Sequence, residues 1–439
     1  MNPTLLDING KRILTVQAFI RVHQIEATRT LNTSVSDFGT EESAIHTPTH
    51  ARFLRNSVTR GFPDGKITWG MSWHSLFDKR SNYVELRKLV AEYHHKYGDD
   101  VTFIPGGFFP PMYNSRAQVN LDIKEALVAI RNMVGGDFKP KSIVAGYLAA
   151  DNLRYLAEVE GIHVAQGTIW SQYGIDNGDG DGSLIYPYYP SREHYCKPAQ
   201  GAGDFIDCVN LDGWTPDFLC ARRFGFEEGF NSRLGMGPIE SFGKFGLRKG
   251  LEELMATMST HYDNAIKDNG FGWCTTLWEV ALMDEFLRKG CPECLEVWLT
   301  AVRDRWPDAI MPTLGEFGEA YRRAYPNNDK LNYRFTQRGT GFPGSEPNME
   351  IRWFMNRDFR LAILRDWQKN EPGLVIDFTR YDIKAQEPPD ATAEHPTRNW
   401  SLINRINQKR RRPEDTPVPL SALTAEERAL IARHYPELF

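Results

Sequence analysis

The chain has 439 residues, of which 41% are hydrophobic and 25% charged, as in an ordinary folded protein and unlike a disordered or collagen-like one. Its 52 basic and 57 acidic side chains give a formal net charge of −5, so the basic excess used to bind along nucleic acid is absent. No apolar run reaches the roughly 18 residues that would indicate a membrane-spanning helix. No nucleic-acid or membrane partner is therefore expected.

The first eleven residues are polar and include Asp7, so they do not read as a signal peptide. A periplasmic or secreted location would require that one had been removed. From residue 12 to about 290, short β-branched runs alternate with amphipathic helices. Strands are predicted at 13–20, 67–73, 101–105, 143–148, 163–170, 205–211, 234–239 and 271–277. Between them, Leu86, Leu89, Val90, Tyr93 and Tyr97 share one helical face, and Gly98 follows as a stop. Ile123, Ala126, Leu127, Ile130 and Val134 repeat that spacing, as do Leu251, Leu254, Met255, Met258 and Tyr262. Seven or eight strand–helix units with right-handed crossovers predict an α/β fold, a distorted (β/α)7–8 barrel over 1–290. An open doubly wound sheet is the alternative, but no Gly-rich dinucleotide fingerprint follows an early strand.

Residues 291–330 read as a helical connection, in which Thr313 and Glu316 form a capping box. Cys291-Pro-Glu-Cys294 resembles a redox motif, yet no second pair offers a zinc site, so structural thiols are expected. Leu331, Tyr333 and Phe335 alternate with polar residues, as do Phe359, Leu361 and Ile363, and Ile376 and Phe378. This period predicts a small antiparallel β domain over 331–383. Residues 384–439 read as a linker and a tail helix opened by the capping box Thr424–Glu427, and the run Lys409 to Arg412 as a solvated face.

In a parallel barrel, functional side chains project from the C-terminal strand ends. The stretch from Trp170 to His194 is a long insert carrying Tyr173, Tyr186, Tyr188 and Tyr189. Rings stack on sugar faces and carboxylates bind hydroxyls, so the insert reads as a carbohydrate site, against a loop packed by its own aromatics. Within it, Asn177, Asp179 and Asp181 match the first half of a calcium loop, although Tyr188 stands where the bidentate Glu belongs. His46-Thr-Pro-Thr-His50 fits the His-(Ser/Thr)-x-x-His pattern of zinc-dependent polysaccharide deacetylases, but Thr47-Pro48 is equally a helix start. The first-strand Asp pair of those enzymes is missing. Calcium or zinc is thus an open expectation.

Glycosidic cleavage needs two carboxyls across the scissile bond. Strand-end candidates are Glu26, Asp151, Asp207, Asp212, Glu240 and Glu279. Asp212 beside Trp214, and Glu240 after Gly235-Met-Gly-Pro-Ile, are the preferred pair, with Glu26 a third candidate. His23, Trp73, Trp170, Tyr173, His194 and Trp214 are the expected substrate-binding residues. No Gly-x-Ser-x-Gly elbow or P-loop occurs.

The segments Ile67-Thr-Trp-Gly-Met-Ser-Trp73, Gln166-Gly-Thr-Ile-Trp-Ser-Gln-Tyr173, Asp176-Asn-Gly-Asp-Gly-Asp-Gly-Ser183, Tyr186-Pro-Tyr-Tyr-Pro-Ser191 and Asp207-Cys-Val-Asn-Leu-Asp-Gly-Trp214 resemble one family. It comprises bacterial proteins with two domains of unknown function. Their N-terminal domain is similar to the glycoside hydrolase/deacetylase (β/α) barrels. The resemblance covers about residues 12–380 and implies carbohydrate chemistry by superfamily analogy. The expectation is a glycoside hydrolase acting on an oligo- or polysaccharide. The alternatives are a metal-dependent polysaccharide deacetylase and a non-catalytic carbohydrate-binding protein.

Overall fold

The computed structural model describes residues 5–23, 25–26, 41–170, 180–223, 233–288, 291–392, 397, 399–410 and 413–439. Seven strands run parallel: β1 (Arg12–Ile20), β2 (Thr68–Ser72), β3 (Asp100–Ile104), β4 (Ile143–Val144), β5 (Val164–Thr168), β6 (Val209–Asp212) and β7 (Gly272–Glu279). They form two sheets, β3-β2-β1-β7 and β4-β5-β6, and β8 (Ala309–Ile310) pairs with the first residues of β1. The sheets meet through hydrogen bonds beside the ladders. Thr102 donates to the Ser142 carbonyl, and Thr215 N–H donates to the Thr275 carbonyl at 3.1 Å. Burial on both strand faces explains the apolar runs that made these strands readable.

The helices follow their signals. The helix Ser81–Tyr97 stops at Gly98 in the left-handed region (φ 72°), where a side chain would be strained. Thr47 caps the helix Pro48–Gly61, and both predicted capping boxes close. The expected strand at 234–239 does not form. Gly235 makes one bridge to Pro216, and Pro238, which has no N–H to give a ladder, opens the helix Pro238–Ser259 instead. Cys291 and Cys294 are joined as a disulfide. No helix among the described residues is long and apolar enough to cross a membrane.

The second unit is an antiparallel sheet of β9 (Asn332–Arg338), β10 (Met349–Asn356), β11 (Phe359–Asp366) and β12 (Leu374–Arg380). The tail completes it: β13 (Ile406–Asn407) and β14 (Val418–Pro419) both pair with β12. One face, with Ile351, Trp353 and Met355, joins the main core. The other packs Phe354, Leu361 and Ile363 under Leu430, Ile431 and Tyr435, from the helix Ala425–His434 and its cap.

Arg360 of β11 ties the two units together. Its guanidinium donates to Asp377 at 3.0 and 2.8 Å, pairs with Asp181 at 2.9 Å, and donates to the carbonyls of Trp170 and Ser183 at 3.1 and 3.0 Å. Lys409 reaches Asp181 at 3.0 Å, and Asn407 bridges both carboxylates at 3.2 and 3.1 Å. Lys409 is therefore buried in an ionic cluster, not part of a solvated face. Removing one partner from a buried network strands the opposite charges, at a cost of about 3–5 kcal/mol, whereas an exposed pair is worth about 0–1 kcal/mol. Arg360→Met is expected to lower urea-unfolding stability by the larger amount, and Arg357→Gln, at an exposed pair with Asp329, by the smaller. Equal losses would show that the cluster does not join the units.

Candidate functional site

The strand ends differ in how far their side chains are covered. At the end of β1, Arg21 is almost fully buried. Its Nε and Nη2 hold Glu42 at 2.7 and 3.2 Å, and Nη2 holds Glu279, the last residue of β7, at 2.9 Å. Glu279 keeps 23% of its side chain exposed. Glu26 accepts from Ser72 Oγ at 2.6 Å, His74 N–H at 3.0 Å and Val22 N–H at 3.3 Å. Both of its oxygens serve protein donors and it is buried, so it clamps the ends of β1 and β2 instead of facing a ligand. His23 lies edge-on to His74 at 6.4 Å, and the half-buried Trp73 leans on Phe77 at 4.6 Å.

On the β6 side, Gly237 sits between the Trp214 ring and the Glu240 carboxylate, with no room for a Cβ. Trp214 is half-buried, Glu240 is 14% exposed, and Arg233 stands 3.9 Å from it. Glu240 lies in the first turn of a helix, not at a strand end. The structure thus groups His23, Glu26 and Trp73 at β1–β2, Glu279 with Arg21 at β1–β7, and Trp214 with Glu240 after β6.

Other expected site residues are placed elsewhere. Asp212 is fully buried. Its Oδ1 accepts the N–H groups of Trp170 and Gly213, each at 3.0 Å, while Oδ2 has no hydrogen-bond partner. Burial pushes its carboxyl well above the usual range, so it is a neutral acid sealed from solvent and cannot pair with Glu240 across a substrate. Trp170 is wedged edge-on between Phe218 (5.6 Å) and Trp353 (4.9 Å), and is core, not a sugar platform. His194 is buried against Tyr195 at 5.0 Å, accepts Cys196 N–H at 3.1 Å, and is pushed down to about 3 by burial. Tyr186, Tyr188, Tyr189 and Tyr195 are buried as well, so the described insert is packed by its own aromatics. Asp181 is committed to Arg360 and Lys409, so it is not available to hold calcium. Asn177, Asp179 and Tyr173 lie outside the described residues.

His46 and His50 turn Nδ1 to the carbonyls of Glu42 and Ile45 at 3.1 and 2.7 Å. Burial holds His46 neutral, down to about 4. His50 Nε2 lies 3.8 Å from Asp284. Among the described residues no three His, Cys, Asp or Glu side chains converge as a metal requires, so these two do not assemble a zinc site with a third ligand. The Arg21–Glu279 contact was missed in the sequence. Its available signal was an arginine one residue beyond a strand at the predicted mouth.

Comparison with known proteins follows this geometry. A family model described as a domain of unknown function with solved structure (DUF3863) matches residues 6–355, and a second such model (DUF3864) matches residues 360–438. A crystal structure from Parabacteroides distasonis, named as a candidate glycoside hydrolase/deacetylase, is 48% identical with a TM-score of 0.94, over 99% of this chain and 100% of that one. A candidate polysaccharide deacetylase from Mycobacterium smegmatis is 14% identical, covering 73% of this chain and 95% of its own, at a TM-score of 0.43. A GH57 branching enzyme from Thermococcus kodakaraensis is 12% identical over 71% of each chain, at 0.42. These last two likenesses are too remote to carry an argument. No curated protein matches. The chain belongs to the two-domain DUF3863 family, with its first domain matched over residues 6–355 and its second over 360–438.

Proposed function

We propose that the protein is a carbohydrate-active hydrolase, a glycoside hydrolase working at the open rim where β1, β2, β6 and β7 end. The two parallel sheets are, in this reading, halves of a distorted seven-stranded barrel. The observation that carries the proposal is that Glu279, at the end of β7, and Glu240, beside the half-buried Trp214 indole, both keep part of their carboxyl side chains in water. The name given to the Parabacteroides distasonis relative supports the same class.

Glu279, held by the Arg21 guanidinium at 2.9 Å, is suited to stay ionised as nucleophile or base. Glu240, beside the Trp214 indole, is assigned the proton-donating role. Trp73 and Trp214 offer apolar faces for sugar rings. The deacetylase alternative gains no support from the described residues, because its histidine pair finds no converging third ligand.

Purified protein is to be assayed for reducing ends on a panel of oligo- and polysaccharides. Glu279→Gln and Glu240→Gln are each expected to cut turnover at least ~100-fold. Unchanged turnover in both would refute the pair. Binding without turnover by the wild type would identify a carbohydrate-binding protein instead.

Asp212 allows a separate check. The unfolded chain releases its proton near pH ~3.9, whereas the folded protein retains it, so its burial stabilises below that pH and that stability is lost as pH rises toward the folded value. Asp212→Asn should therefore gain stability relative to wild type between pH 4.5 and 8 in urea unfolding. A constant difference across that range would mean that Asp212 is ionised in the fold.

A further inference from the structure

The second domain carries a cavity of about 680 Å³ on its outer side, within the roughly 300–1,000 Å³ range of ligand pockets. Arg352, Arg365 and Arg428 line it together with Pro372, Pro419 and Leu438. The sheet's cross-strand register decides which of these charges is already satisfied. Glu350 of β10 faces Arg338 on β9 and Arg365 on β11, and its carboxylate pairs with both, at 3.1 and 2.6 Å. Two residues along the same face, Arg352 lies between Thr336 and Ile363, neither of which offers a counter-charge. Glu437, another lining residue, is tied to Arg334 at 2.8 Å. Glu371 stands exposed at the edge.

Among the described residues, the Arg352 side chain makes no hydrogen bond and no ion pair; its guanidinium lies 5.1 Å from the Phe354 ring. It is half-buried, and burial, followed by the neighbouring Arg365, lowers its pKa from the ordinary value against the weaker pull of Glu350 and Glu437, which are themselves paired with other arginines, and it stays charged. Arg428 donates to the carbonyls of Ser421 and Leu423, which satisfies hydrogen bonds without neutralising charge. A half-buried cation with no directly paired carboxylate is unfavourable, and a planar guanidinium fork fits an oxyanion with two parallel hydrogen bonds. The proline and leucine side chains supply an apolar wall of the kind a sugar ring packs against.

We propose that this cavity is a second site, separate from the rim, that binds an acidic sugar unit through Arg352, the oxyanion being a uronate carboxylate or a sulfate ester. The site does not depend on the rim chemistry.

The test is calorimetric titration of the full chain at constant ionic strength with galacturonic acid, galactose 6-sulfate, galactose and inorganic sulfate. At least one acidic sugar is expected to bind about tenfold or more tighter than galactose, and which of the two does so identifies the oxyanion. Arg352→Gln should abolish that preference, and Glu279→Gln should leave it intact. Should Arg352→Gln fail to fold, Arg352→Lys, which keeps the charge but loses the fork, should still weaken binding severalfold. Failure of both acidic sugars to exceed galactose, or unchanged binding by the Arg352 variants, overturns the proposal. So does inorganic sulfate binding as tightly as the sugar sulfate, because the apolar wall would then contribute nothing.

Discussion

The buried ionic cluster around Arg360 governs which strand ends remain available. By holding Asp181, Asp377 and the carbonyls of Trp170 and Ser183 at once, it fixes the second domain over the insert that follows β5. The tail then continues the cover. Leu402 N–H donates to the Asp181 carbonyl at 2.8 Å, the Trp400 ring lies 6.1 Å from that of Tyr147, and Glu387 accepts the N–H groups of Ala150 and Tyr195 at 2.7 and 3.0 Å. The ends of β4 and β5 are thereby built over with protein. The partly exposed side chains Trp73, Trp214, Glu240 and Glu279 lie instead around the ends of β1, β2 and β7 and after β6. That asymmetry explains why the exposed acids and indoles collect on one side, while Trp170, His194 and the tyrosines of the insert become core.

Much of the fold was legible because its signals are local. Strands buried on both faces are continuous apolar runs, and helix ends are marked by Gly98, Thr47-Pro48 and two capping boxes. The failures have equally local causes. Gly235-Met-Gly-Pro-Ile has the apolar content of a strand, but its proline and glycines favour a turn into a helix. Strand β10 was passed over because Trp353, Phe354 and Met355 are consecutive and bury against both faces of the sheet, erasing the period of two. Strands β13 and β14, two residues each, are too short to show any period.

The site was less legible, because what matters there is which way a side chain is covered. Aromatic content alone cannot distinguish a sugar platform from a packed interior. Trp170 and Trp214 both follow a strand, yet only the second retains exposure, and the first is covered by Trp353 of the second domain. Charge runs mislead in the same way. Lys409 opens a basic stretch and still ends in the core, because Asp181 lies beneath it. The pairing of Arg21 with Glu279 joins opposite ends of the first domain, and no local pattern encodes it.

The interior between these two halves keeps more polarity than stability alone would select. Gln166 crowds Gly213, beside Asp212, and Asn210 crowds Gly167, so amide and carboxyl groups share one layer at the ends of β5 and β6. Gln166 Oε1, Asn210 Oδ1 and Asp212 Oδ2 are all buried without a hydrogen-bond partner. Each unmet group costs about 1–3 kcal/mol, and apolar residues of the same shape would avoid that cost. In the sheet of β1 and β7, Thr15, Gln17, Thr275 and the Trp273 indole satisfy one another at 2.9 to 3.1 Å, so polarity as such is not the difficulty. Among the described residues, the β5–β6 layer is one place where unmet acceptors gather. There a carboxylic acid that accepts two amide N–H groups on one oxygen is best accommodated neutral, since its proton makes the other oxygen a donor. The raised pKa of Asp212 is thus a consequence of its burial, offset in part by the backbone N–H groups of Trp170 and Gly213 that it accepts.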